Sequence, residues 1–109
     1  MITKKKNRYI LLECTEKLSD DIMDMFYSSI NSFMGSGSYS NANIKILKIY
    51  SDNLFALRVN RGYEKQVILA SAFSKVMDGK VGFYTILTSG TINTLSEKAH
   101  GINYDKNID

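Results

Sequence analysis

Between Asn43 and Gly62 two runs rich in apolar and β-branched residues flank the polar cluster Ser51-Asp52-Asn53. Such a cluster has the chemistry to reverse the chain, so the stretch predicts a β-hairpin. In its second run Phe55, Leu57 and Val59 fall on one face, and Leu54, Ala56, Arg58 and Asn60 on the other. The first set can enter a core while the second holds Arg58 towards solvent. In the first run the alternation breaks at Ile46-Leu47, which calls for a bulge or for burial on both sides. Lys45, Lys48, Arg58 and Arg61 stand against one acid, Asp52. A basic hairpin fits a phosphate-rich partner. A solvated edge with ordinary lysines also fits, and on the hairpin alone it fits better.

The rest of the chain builds a sheet around this hairpin. Residues 8–14 read as a strand, with Ile10, Leu12 and Cys14 opposing Tyr9, Leu11 and Glu13. Ser19 is placed to cap a helix, with Asp20, Asp21 and Asp24 near its positive end. Ile22, Met25, Phe26, Ile30 and Phe33 recur at helical spacing and read as core. The run Gly35-Ser36-Gly37-Ser38 reads as a flexible connector. It lacks the lysine and the preceding strand of a phosphate loop. A second helix is expected over about 64–77, with Leu69, Ala72, Phe73 and Val76 inward and Asp78-Gly79 as its stop. Lys80 to Thr88 reads as a fourth strand, with Val81, Phe83, Thr85 and Leu87 opposing Tyr84 and Ile86. Thr88 or Ser89 caps a last helix carrying Ile92, Leu95 and Ala99 and ending at Gly101. The order predicts an α+β fold, a two-layer ferredoxin-like (RRM-like) βαββαβ sandwich with an added C-terminal helix. The expected division is a basic arm over 1–7, one domain over 8–101 and a polar, mobile tail over 102–109. The sheet face away from the two helices is apolar. Either the last helix or another protein is expected to cover it.

A length of 109 residues supports one core of this kind. No apolar run approaches membrane-spanning length, and the run after the basic start is too short for a signal-peptide core. The single cysteine, Cys14, has no partner for an internal disulfide, which points to the reducing cytoplasm. The net charge of +3 is unevenly spread. Lys4, Lys5, Lys6 and Arg8 form a positive block, whereas Glu13 to Asp24 holds five acids and one base. Catalytic constellations are missing. His100 reads as a solvated residue, no Cys/His spacing fits zinc, and Asp20 and Asp21 diverge on a helix. Thr88-Ser89-Gly90-Thr91 offers N–H groups and hydroxyls that suit a phosphate, though capping is the better explanation. The third strand lacks the aromatic signature of RNA-recognition motifs, and Lys80-Val81-Gly82-Phe83-Tyr84 lies on the fourth. RNA binding would therefore use charge and shape.

Several stretches together resemble one family. Arg8-Tyr9-Ile10, Asn43 with the Ile-Tyr ending at Tyr50, Leu57-Arg58-Val59-Asn60-Arg61-Gly62 and Ser89-Gly90-Thr91-Ile92 resemble, in order and spacing, the archaeal and eukaryotic ribonuclease P protein component two family. The resemblance covers roughly residues 8 to 99. Val59 departs from it, standing where the family pattern has a cysteine. The resemblance implies a non-catalytic subunit of ribonuclease P, the ribonucleoprotein endonuclease (a hydrolase) that removes 5′ leaders from precursor tRNA. The RNA subunit, with bound Mg2+, would carry the chemistry. The implied partners are the ribonuclease P RNA, protein component three, and precursor tRNA through the complex, with higher-order assembly through the partner protein and no membrane. Candidate RNA contacts are Lys4, Lys5, Lys6, Arg8, Lys45, Arg58, Arg61, Ser89 and Thr91. For Arg58 and Arg61, pairing within the domain or with the partner protein is an equal expectation. Three other classes remain: a ferredoxin-like regulatory module that binds a small metabolite, a generic RNA-binding protein, and a structural adaptor.

Overall fold

Strand β1 (Asn7–Cys14) has consecutive apolar residues, so it needs cover on both faces. Ile10, Leu11, Leu12 and Cys14 are all fully buried. In the computed structural model, which describes residues 7–74 and 79–106, β1 lies inside a four-stranded sheet of order β2-β3-β1-β4. Its neighbours β3 (Leu54–Asn60) and β4 (Phe83–Ser89) both run antiparallel to it. The hairpin expected from the sequence is present, with β2 (Lys45–Ser51) antiparallel to β3 at the edge. The register shifts between Ile46 and Lys48, so Leu47 is the extra residue of a bulge. That is why the alternation breaks there. The fold is the expected α+β ferredoxin-like arrangement.

One face of the sheet is covered by α1 (Asp20–Met34) and α3 (Glu64–Phe73). The Ser19 hydroxyl caps α1 by accepting the Ile22 N–H at 3.2 Å. Phe26 meets Phe83 at 4.4 Å and Phe55 at 5.6 Å between ring centroids, the second edge to face. Phe33 does not join this core. It is 48% exposed and stacks on Phe73 with centroids 5.8 Å apart.

The inward face of α3 also differs from the expectation. Val67, Ala70 and Ser71 are buried, whereas Leu69 and Phe73 are 51% and 67% exposed and Ala72 is exposed. Ser71 and Ser74 hide their hydroxyls by donating to the Val67 and Ala70 carbonyls, each at 2.7 Å. They thus pack as small residues close to the sheet, and the bulky side chains are left outside. The helix ends at Phe73, because Ser74 is extended. Val76 and Asp78 lie outside the described residues, and Gly79, with φ 80°, stands apart from the helix end.

The other face is covered by α4 (Ile92–Lys106), the resolution in favour of the last helix. Leu95 and Ala99 close over Leu11, Leu54 and Ala56. The helix runs through Gly101 because Ile102 continues its apolar stripe onto this cluster, outweighing the glycine cost of about 1 kcal/mol. The expected tail from residue 102 is therefore helical as far as Lys106. In β4 the register shifts opposite Leu11 and Leu12. Leu11 faces Leu87 and Leu12 faces Thr85, so Leu87 joins Ile86 under α4 rather than Phe83 on the opposite side.

The expected Gly-Ser connector is a short helix, α2 (Ser36–Ala42). Gly35 takes φ 84°, ends α1 and lets the chain restart. Tyr39 and Ala42, three residues apart, then hold α2 on the core. Asn43 closes it in the left-handed region, at φ 49°.

These positions predict opposite costs for two phenylalanines. Phe26→Ala should destabilise the chain by about 3–5 kcal/mol, and Phe33→Ala by less than about 1 kcal/mol. Urea unfolding of the two variants beside the parent chain measures both.

Candidate nucleic-acid interface

Antiparallel pairing puts directly opposite residues on the same sheet face. Lys45 faces Arg58, Arg58 faces Tyr9, and Tyr9 faces Ser89. These four form one row across all four strands, about 14 Å long at ordinary strand spacing. The row lies where β1 and β2 begin and β3 and β4 end. It is on the α4 side, because Arg58 shares a face with Ala56 and Leu54. Lys45 is exposed and Arg58 half-buried. Two cations directly opposite each other repel. Among the described residues neither has a carboxylate partner.

Arg8 points to the other face. Its Nε lies 3.2 Å from Glu64 Oε2, at the first residue of α3. Nε is buried, and the contact is an ion pair without hydrogen-bond alignment. Glu64 uses its other oxygen to accept the Gly62 N–H. Gly62, at φ 102°, makes the turn that places exposed Arg61 at the same end of the sheet. Pairing within the domain thus falls on Arg8. Arg58 and Arg61 have no ion pair among the described residues.

An open cleft of about 520 Å³ lies here, lined by Asn7, Arg8, Tyr9, Arg61 and Gly90. Among the described residues two arginines and no carboxylate line it, so it favours an anion. Ser89 accepts the Thr91 N–H at 3.2 Å, and the Thr91 and Thr94 hydroxyls meet at 2.8 Å. Both oxygens are thus engaged in local hydrogen bonds just before and within the first turn of α4. The structure gathers Arg8, Lys45, Arg58, Arg61 and Ser89 at one end of the sheet, with Thr91 beside them. Lys4, Lys5 and Lys6 lie outside the described residues. Sequence reasoning named Gly90 only within the Thr88–Thr91 run, and missed Tyr9 and Glu64. Alternation assigned faces but not cross-strand partners; register brings Tyr9 to the cleft, and Glu64 reaches Arg8 from the start of α3.

The segments that meet at this end belong to a single known pattern. The sequence profile of the Rpp14/Pop5 family matches residues 8–100, from Arg8 in β1 to His100 in α4. The chain belongs to the Rpp14/Pop5 family. Among solved structures, a chain of yeast ribonuclease MRP, determined by cryo-electron microscopy, has the same fold at TM-score 0.57 and 14% identity. The likeness covers 96% of this chain and 97% of that one. No curated protein sequence matches. In this Rpp14/Pop5 chain Val59 is fully buried with Leu57 in the core.

Elsewhere the described residues hold little chemistry. No group of three or more His, Cys, Asp or Glu side chains is placed to hold a metal ion among them. No described helix is long and apolar enough to cross a membrane. His100 is exposed. Cys14 is fully buried, and that burial pushes its thiol pKa up despite nearby backbone hydrogen bonds. At pH 8 the native thiol should react with a maleimide on the order of a hundredfold slower than in urea. Stopped-flow labelling checks this, and equal rates in the two solvents would contradict it.

Proposed function

We propose that this chain is the component-two protein of ribonuclease P, a subunit that supports a catalytic RNA and performs no chemistry itself. Family membership places it among the ribonuclease P proteins. The observation that carries the finer reading is the row of cations drawn from separate strands. Lys45 and Arg58 stand unpaired among the described residues, with Arg61 nearby. Facing cations weaken the free domain, and an RNA backbone would relieve their repulsion. Each neutralised phosphate releases counterions, which favours binding and makes it depend on salt. Held against the catalytic domain of the RNA, these cations would offset phosphate repulsion near its Mg2+ sites. The RNA and its Mg2+ would then cut the 5′ leader from precursor tRNA. A cytoplasmic setting suits the free thiol of Cys14.

The second partner in this reading is protein component three. Because α4 covers the sheet, the exposed apolar surface among the described residues lies on α1, α3 and the β2 edge, with Tyr84 on β4. Phe33, Leu69 and Phe73 protrude from α1 and α3, and Leu47 and Ile49 from β2. Cations at the sheet end and the larger apolar surface on α1 and α3 would let one small domain touch RNA and protein together.

Precursor-tRNA cleavage by the matching ribonuclease P RNA and component three, at moderate magnesium, tests this function. Adding the chain should raise the rate. Arg58→Ala should weaken RNA binding alike across sequences and lower the slope of log affinity against log salt by about 1. An unchanged rate with a folded chain would favour a metabolite-binding module. A gain that survives loss of Lys45, Arg58 and Arg61 would favour a structural adaptor.

A further inference from the structure

Arg8 and Arg61 approach the cleft from different parts of the fold. Arg8 comes from the first turn of β1, and Arg61 from the turn after β3. Gly90 completes the wall. A Cβ on Gly90 would sit 3.4 Å from Arg8 Nη1, in van der Waals contact, so a side chain larger than alanine would press on the guanidinium. Glu64 engages the Nε edge of the same guanidinium. Glu64 thus lies on the Nε side, and Nη1 is left against Gly90, on the cleft wall. Arg61 is exposed and has no acceptor among the described residues. The cleft volume falls within the range of small-ligand sites, larger than a lone ion needs.

We propose that this cleft takes one phosphate of an RNA backbone, gripped from two sides by Arg8 and Arg61. The proposal rests on the RNA-binding reading above and assigns it a defined subsite. A planar guanidinium held in one orientation suits two parallel bonds to phosphate oxygens. Arg8 supplies that orientation, with Glu64 as its positioning residue. Arg61 supplies the charge that Glu64 does not offset. Gly90 keeps the cleft open: its φ lies outside the left-handed region, so a larger residue there would meet no backbone strain and would narrow the site.

The test is the salt dependence of binding between the full chain and the matching ribonuclease P RNA. The variants are Arg8→Gln, Arg61→Gln, the two combined, and Gly90→Val. If the arginines share one phosphate, the double variant loses one contact, a slope change of about 0.7–0.9. Neither single variant then exceeds that loss. Gly90→Val, with both charges kept, reproduces it, with circular dichroism showing that the variant is folded. If Gly90→Val does not fold, the arginine variants alone decide. A loss of about twice that size in the double variant means two separate phosphates and overturns the shared site. No loss in the double variant, while the parent chain keeps its slope, overturns the cleft and leaves the RNA reading intact. A parent chain with no salt-dependent RNA binding removes both.

Discussion

Strand β1 has no solvent face, and the rest of the molecule follows from that. Ile10, Leu12 and Cys14 need α1 and α3 on one side, and Leu11 needs α4 on the other. Pairing on both edges makes β1 the strand against which β3 and β4 are registered. A two-layer domain of this size would leave Leu11, Leu54 and Ala56 bare. The third layer is therefore a requirement of the core and not an appendage. The aromatic cluster of Phe26, Phe55 and Phe83 then fixes the main layer.

The same register builds the charged end. One register sets Tyr9 opposite Arg58, and two more set Lys45 opposite Arg58 and Ser89 opposite Tyr9. A slip by one residue would turn Arg58 into the core beneath α1 and α3. The burial of Leu57 and Val59 therefore guards the position of the cation between them. Arg8, one residue from Tyr9, reaches the opposite face and meets Glu64. The sheet end thus carries both a paired cation and unpaired ones. Paired charge gives direction, while unpaired charge gives attraction at longer range.

Much of this was legible in residues 8–14 and 43–62, where alternation and turn chemistry agree. The break at Ile46-Leu47 even marked its bulge. What escaped was decided by packing. The stretch Val67-Ile68-Leu69-Ala70 is apolar all round, so periodicity pointed to the wrong face, Leu69 with Ala72 and Phe73, and self-bonded serines took the inner positions. Gly101 reads as a stop until Ile102 is known to rest on the second core. Gly35 marked a break, but only Tyr39 and Ala42 reaching the core make the next turns helical. The candidate cations were visible as a basic bias. Their meeting at one sheet end was not, because it depends on three registers at once, and Glu64 enters only through α3.

The central claim is that the row of cations at this sheet end lies on RNA. Cryo-electron microscopy of the particle assembled from this chain, component three and the ribonuclease P RNA measures that directly. The account predicts RNA phosphates within bonding distance of Arg58 and Arg61, with the exposed helices α1 and α3 turned to protein. RNA running over α1 and α3, with Arg58 and Arg61 facing protein or solvent, would contradict it.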